Sequence, residues 1–155
     1  QGDMMRGGGT LTSRLVPGRL YMFLYDAKTK DTLPYWDRFP LVFPIRPMKN
    51  DGFLGLNMHY LRHNRRAMLM DALWNYVDDD KLTANAKLRF TYNTLKQASK
   101  LRYYKPCIKR YLNSNIKSRF VQIDPQQWNM ALFLPTERFK GASKSKVYND
   151  SSRKQ

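Results

Sequence analysis

Eleven basic side chains lie between Asp80 and Asp124 with no acidic residue among them: Lys81, Lys87, Arg89, Lys96, Lys100, Arg102, Lys105, Lys109, Arg110, Lys117 and Arg119. Phe90, Tyr92, Tyr103, Tyr104, Tyr111 and Phe120 are interleaved with them. Cations at this density attract a polyanion by releasing its counterions, and aromatic faces stack on unpaired bases. The same residues also fit a plain fold, with the aromatics at helical spacing in a core and the lysines on the solvated face opposite. An acidic protein neighbour would answer the charge as well as DNA would. A second basic group, His59, Arg62, His63, Arg65 and Arg66, stands where a helix is expected to begin. Cations there oppose the helix dipole unless an anion or an acidic partner is bound.

Catalytic chemistry finds less support. Asp26-Ala27-Lys28 has the acid and lysine spacing that ends a metal-dependent nuclease strand. Such a site needs another acid on a preceding strand, and only Asp3, in a glycine-rich stretch, comes earlier. Eleven of the twelve acids are Asp, the only Glu is Glu137, and the single cluster, Asp78-Asp79-Asp80, reads as a polar helix end. His59 and His63 are four apart but have no third ligand nearby. Cys107, after Pro106, fits a small core residue better than a nucleophile. Gly7-Gly8-Gly9 lacks the strand and helix that would make a phosphate loop. The expectation is a protein that is not an enzyme and has no metal or cofactor.

The elements that position these residues follow from pattern. The chain has 155 residues, a formal charge of +16 and 42% hydrophobic residues, enough apolar surface for one folded domain. No apolar stretch is long enough to cross a bilayer, and one cysteine excludes an internal disulfide. Leu20 to Tyr25 is aromatic-rich and reads as a strand. The prolines at 34, 40, 44 and 47 forbid a helix and predict an edge strand or extended wall over Phe39 to Ile45. Asn50-Asp51-Gly52 signals a turn into Phe53-Leu54-Gly55-Leu56. Helices are expected from Asn64 through Val77, over Ala84 to Ala98, where Phe90-Thr91-Tyr92 leaves a strand open, and from Pro106 with Ile108, Tyr111 and Leu112 inward. Arg119 to Ile123 reads as a strand, and Asp124-Pro125 as a cap before Trp128, Ala131 and Leu132. The sum is a small single α+β domain over 16–139, with an N-terminal extended segment and two to three helices, between a flexible arm (1–15) and a basic tail (140–155).

Three strings carry a resemblance: Leu20-Tyr21-Met22-Phe23-Leu24-Tyr25-Asp26-Ala27-Lys28, Thr32-Leu33-Pro34-Tyr35-Trp36-Asp37-Arg38-Phe39-Pro40-Leu41-Val42, and Gly52-Phe53-Leu54-Gly55-Leu56-Asn57-Met58-His59-Tyr60-Leu61. With Lys105 to Lys109 and Trp128 to Pro135, they make the chain resemble short virion-associated proteins of T-even-like contractile-tailed phages. Where that group often has prolines after His-Tyr-Leu, this chain has Arg62-His63. The resemblance implies a structural component of the tail, baseplate or neck. It would be assembled in the host cytoplasm, in multiple copies, among other virion proteins, with no membrane partner. Docking would then use Arg62, Arg65, Arg66, Tyr35 and Trp36. The alternative is a DNA-binding protein at the packaged genome end or neck, using the surface from Lys87 to Arg119. A metal-dependent nuclease centred on Asp26 and Lys28 is the weaker third reading.

Overall fold

The computed structural model describes residues 9–12, 14–27, 35–49, 51–133 and 138–153. Alternation of side chains across a pleated strand decides how the sheet is buried. Leu20 and Met22 enter one apolar cluster, while Tyr21 between them packs edge-on against Phe120 on the other face. Leu41 and Phe43 likewise flank Val42, which joins the second cluster. Both faces of the sheet are therefore covered.

Among the described residues eight strands form: β1 (Gly9–Thr12), β2 (Leu20–Met22), β3 (Trp36–Asp37), β4 (Leu41–Pro47), β5 (Phe53–Asn57), β6 (Ile108–Tyr111), β7 (Phe120–Ile123) and β8 (Phe139–Lys140). Six make one antiparallel sheet in the order β1-β7-β2-β4-β5-β6, and β3 pairs with β8 separately. Four α-helices are present among the described residues: α1 (His63–Val77), α2 (Ala84–Ala98), α3 (Trp128–Phe133) and α4 (Lys144–Arg153). Leu69, Met70 and Leu73 of α1, Leu95 and Ala98 of α2, and Trp128 and Leu132 of α3 bury one sheet face. The opposite face carries the ring cluster Phe23, Tyr25, Phe53 and Tyr111. Phe23 meets Phe53, Tyr111 and Phe120 with ring centroids 5.2 to 6.0 Å apart, in edge-on geometry. The α+β class stands as expected, and none of the helices is long and apolar enough to cross a membrane.

Several expectations change. The segment after Pro106 is not a helix: Lys105–Cys107 makes one 3-10 turn, and Ile108–Tyr111 then pairs with β5. Pairing along an open sheet edge outweighs the weak helical spacing of Ile108, Tyr111 and Leu112. The proline-rich strand β4 is central, not an edge. It tolerates Pro44 and Pro47 because β2 reaches only Leu41 and Val42, and the register on β5 shifts between Pro44 and Arg46. Past β2, the Tyr92 hydroxyl of α2 donates to the Ile45 carbonyl at 2.9 Å. Phe90-Thr91-Tyr92 is helical. Helix α1 starts at His63, with Arg62 at its cap and no side-chain cap hydrogen bond, so Asn64 lies inside the first turn. In the segment expected to be a flexible arm, Gly9–Thr12 pairs with β7. In the segment expected to be a tail, α4 places Val147 in the core with no exposed surface. Gly7, Gly8, Lys28, Pro34 and Asn50 lie outside the described residues.

Gly52 closes the β4–β5 hairpin with φ of +88°, in the left-handed region, and the Met48 amide donates to its carbonyl at 3.0 Å. A Cβ there would stand 1.8 Å from the Tyr111 carbonyl oxygen, so only glycine lets the hairpin turn close against the end of β6.

Candidate nucleic-acid interface

The cations of the acid-free stretch do not form one face. On α2, Lys87 points into a cleft shared with Arg19, Gln122 and Asp124. Arg89 and Lys96 sit two and nine residues on, about half a helical turn around the axis, and both are exposed, as is Lys100 beyond the helix. Lys81 is exposed in the turn before α2, and Lys105 in the turn before β6. Lys109 and Arg110 come from β6, at the sheet edge. Lys117 is exposed beside a cleft that also holds Arg38 and Lys140, and Arg119 is exposed ahead of β7. The expected single surface is thus spread over the molecule, because the chain passes from helix to edge strand to central strand within that stretch.

Two groupings were brought together from afar. Arg65 of α1 and Arg102 flank Tyr103, with guanidinium carbons 3.7 and 5.7 Å from the ring centroid. Hydrogen bonding and charge from Arg102, then Arg65, lower the Tyr103 phenol pKa. Arg62 is exposed, contacts Asn149 and lies 5.8 Å from the Tyr148 ring centroid. Arg66 is not a docking residue as expected: it has no exposed surface. Its Nε donates to the Leu61 carbonyl at 2.9 Å, and its two terminal nitrogens to the Leu132 carbonyl at 2.7 Å, the His59 carbonyl at 3.2 Å and the Tyr148 hydroxyl at 3.1 Å. Its position one turn into α1 aims it inward, where α1, α3 and α4 converge.

The second grouping is a cavity of about 520 Å³ lined by Tyr25, Ala27, Tyr35, Trp36, Asp37, Tyr60, Lys109, Arg110, Tyr111 and Leu112. Tyr35 and Trp36, expected to dock a protein partner, stand half-buried in its wall. Behind it lies a buried polar network. The Asp37 carboxylate accepts from His59 Nδ1 at 2.8 Å, Asn57 Nδ2 at 2.9 Å and the Phe39 amide at 3.1 Å. Asn57 Nδ2 also donates to the Tyr111 hydroxyl at 3.0 Å, and Asn57 Oδ1 accepts from the His59 amide at 2.9 Å. The Lys109 ammonium lies 4.1 Å from the Tyr60 ring centroid. Burial pushes the Tyr111 and Tyr60 phenols far above their ordinary pKa, and the Asp37 charge adds to both shifts. Sequence reasoning missed Asp37 and Asn57. The available signal was polar residues set singly inside apolar extended runs, Leu56-Asn57-Met58 above all. His59 was noticed for the wrong reason: it sits in a 3-10 turn apart from α1, so His59 and His63 do not share a helix face. Among the described residues, no group of three His, Cys, Asp or Glu side chains could hold a metal ion. The Asp26 backbone amide donates to the Asn115 carbonyl and the Asp26 carbonyl accepts from Asn115 Nδ2, while Lys28 lies outside the described residues.

Cys107 is fully buried, and burial pushes its thiol up to about 12. In the folded protein it should resist an aromatic disulfide reagent at about pH 8 and react once urea unfolds the chain. Immediate labelling of the folded protein would contradict this. Because the folded pKa is the higher one, the stability this thiol contributes is complete below the unfolded value near 9 and is lost as pH rises through about 12.

Dispersed exposed cations, a stacked Arg-Tyr-Arg group and an aromatic cavity with a cationic rim together suit a protein that holds a polyanion. A profile of the family described as phage T4 terminal DNA protecting protein matches residues 5–154. The chain belongs to that family and is a T4-like phage protein. No curated protein and no solved structure matches it. The family match corrects the expectation of a tail or baseplate structural component, since the family is described by the protection of DNA ends and by no tail role.

Proposed function

We propose that this chain binds the ends of linear phage DNA and shields them, acting by occupancy and without catalysis. The observation that carries this reading is the family match across residues 5–154, in a family described by terminal DNA protection. The formal charge of +16 supports it, as phosphate neutralisation supplies most of the affinity in end-independent contacts. Cations on several faces suit a protein that meets DNA and protein neighbours at once. In the particle those neighbours are other virion proteins around the packaged genome end.

The test is protection of linear duplex DNA from an exonuclease. Saturating protein should preserve the DNA at low salt, with protection falling steeply as salt rises. Replacing both Lys109 and Arg110 by Ala should reduce the magnitude of the log-log salt slope by about 2, roughly one per lost phosphate contact. Equal digestion with and without protein at low salt would sink the proposal. Cutting of a plasmid by the protein alone in magnesium or manganese would overturn its non-catalytic part.

A further inference from the structure

The cavity beside β6 has more chemistry than a general phosphate-binding surface needs. Its volume, about 520 Å³, falls within the roughly 300–1,000 Å³ of small-ligand sites and cannot enclose a duplex. Tyr35 and Trp36, both half-buried aromatics, line its wall. Lys109 and exposed Arg110 supply a point charge and a planar fork for phosphate oxygens. Among the described lining residues Asp37 is the one carboxylate; it is 3% exposed and already accepts from three donors. Tyr60, 5% exposed as a residue, lines the cavity, and its hydroxyl has no hydrogen-bond partner among the described residues. A buried hydroxyl without a partner points to a ligand that supplies one. Tyr60 stays a neutral donor, because burial raises its phenol pKa well beyond the working range.

We infer that this cavity takes one unpaired terminal nucleotide of a DNA end, the base against Tyr35 and Trp36 and the phosphate at Lys109 and Arg110. The inference rests on the DNA-end reading above and adds how an end is told from the rest of the duplex. A nucleotide inside a duplex must be unstacked and unpaired to enter, at a cost of about a few kcal/mol, whereas an overhanging or frayed terminal nucleotide is already free. One-nucleotide capacity therefore becomes preference for ends, of about tenfold or more.

The experiment compares binding to a linear duplex carrying unpaired terminal nucleotides with binding to the same duplex ligated into a closed, fully paired circle. The open-ended form should bind at least about tenfold tighter, and Trp36→Ala should bring that ratio to within about threefold. In parallel, 5-iodouracil at the unpaired terminus should photocrosslink to the segment holding Tyr35 and Trp36 or to that holding Tyr111. The same base about one helical turn inside the duplex should not. Millimolar deoxythymidine monophosphate should not release the open-ended duplex. Tight binding to both duplexes with no preference, or terminal crosslinks at Tyr103, would overturn the cavity's role while leaving DNA binding intact. Occupancy by the free nucleotide with no terminal crosslink would overturn it too. Absence of binding to either duplex would instead remove the DNA-end reading itself.

Discussion

Arg66→Ala should lower the free energy of unfolding by about 3 to 5 kcal/mol, among the largest losses a single substitution can cause here. The guanidinium is fully buried and holds together three carbonyls and a hydroxyl drawn from the 3-10 turn, the end of α3 and α4. Truncation leaves those acceptors facing a void, and each buried unsatisfied group costs about 1 to 3 kcal/mol, less where water enters. Arg66→Lys should recover less than half, because one ammonium has three donors and no planar fork to reach partners on both sides. Urea unfolding measures this as a fall in midpoint with an unchanged slope. A loss under about 1 kcal/mol would show that the three helices do not depend on that side chain.

The second large effect is expected at Asp37. Its carboxylate gathers Asn57, His59 and the Phe39 amide, and through Asn57 the Tyr111 hydroxyl. Asp37→Ala removes the acceptor of two buried donors and of the half-buried Phe39 amide, and the expected loss is about 3 kcal/mol. The network couples its members, so Asp37→Ala and His59→Ala together should cost less than the sum of each alone, by about 1 to 3 kcal/mol. Strict additivity in that double-mutant cycle would mean the two side chains do not share a network. Because β3 carries Asp37 and pairs with β8, this loss should also loosen the small two-stranded sheet from the main one.

The fold class was legible in the sequence, and so were α1, α2, β7 and the β4–β5 hairpin, each marked by strong periodicity or turn chemistry. The phase of α1 was less so: its apolar residues Met68, Leu69, Met70 and Leu73 fit the period in more than one way, and the fold buries Leu69, Met70 and Leu73 while Met68 is 56% exposed. A hydrophobic residue on either side of the stripe gives the same period, and only the sheet beneath selects one. Residues 108–111 were misread because a four-residue strand at an edge has no local signature; the exposed edge of β5 recruits it. The cavity was out of reach for the same reason. Tyr25, Trp36, Tyr60 and Lys109 are far apart in sequence, and only the pairing of β5 with β6 and of β3 with β8 brings them together. The charge was legible in amount but not in shape, since one basic stretch runs through three unlike elements.

The strand order has a kinetic consequence. Only β4 and β5 meet across a short turn, while Gly9 pairs with Ile123 and Phe53 with Tyr111, so most of the sheet waits for remote segments to find each other. Closing such loops before any contact stabilises them slows the search, which places this chain among domains that fold in milliseconds to seconds, about the range of other sheet-rich topologies. The hairpin around Gly52 is then the natural first template, and β5 stays unpaired on one side until the remote segment carrying β6 reaches it.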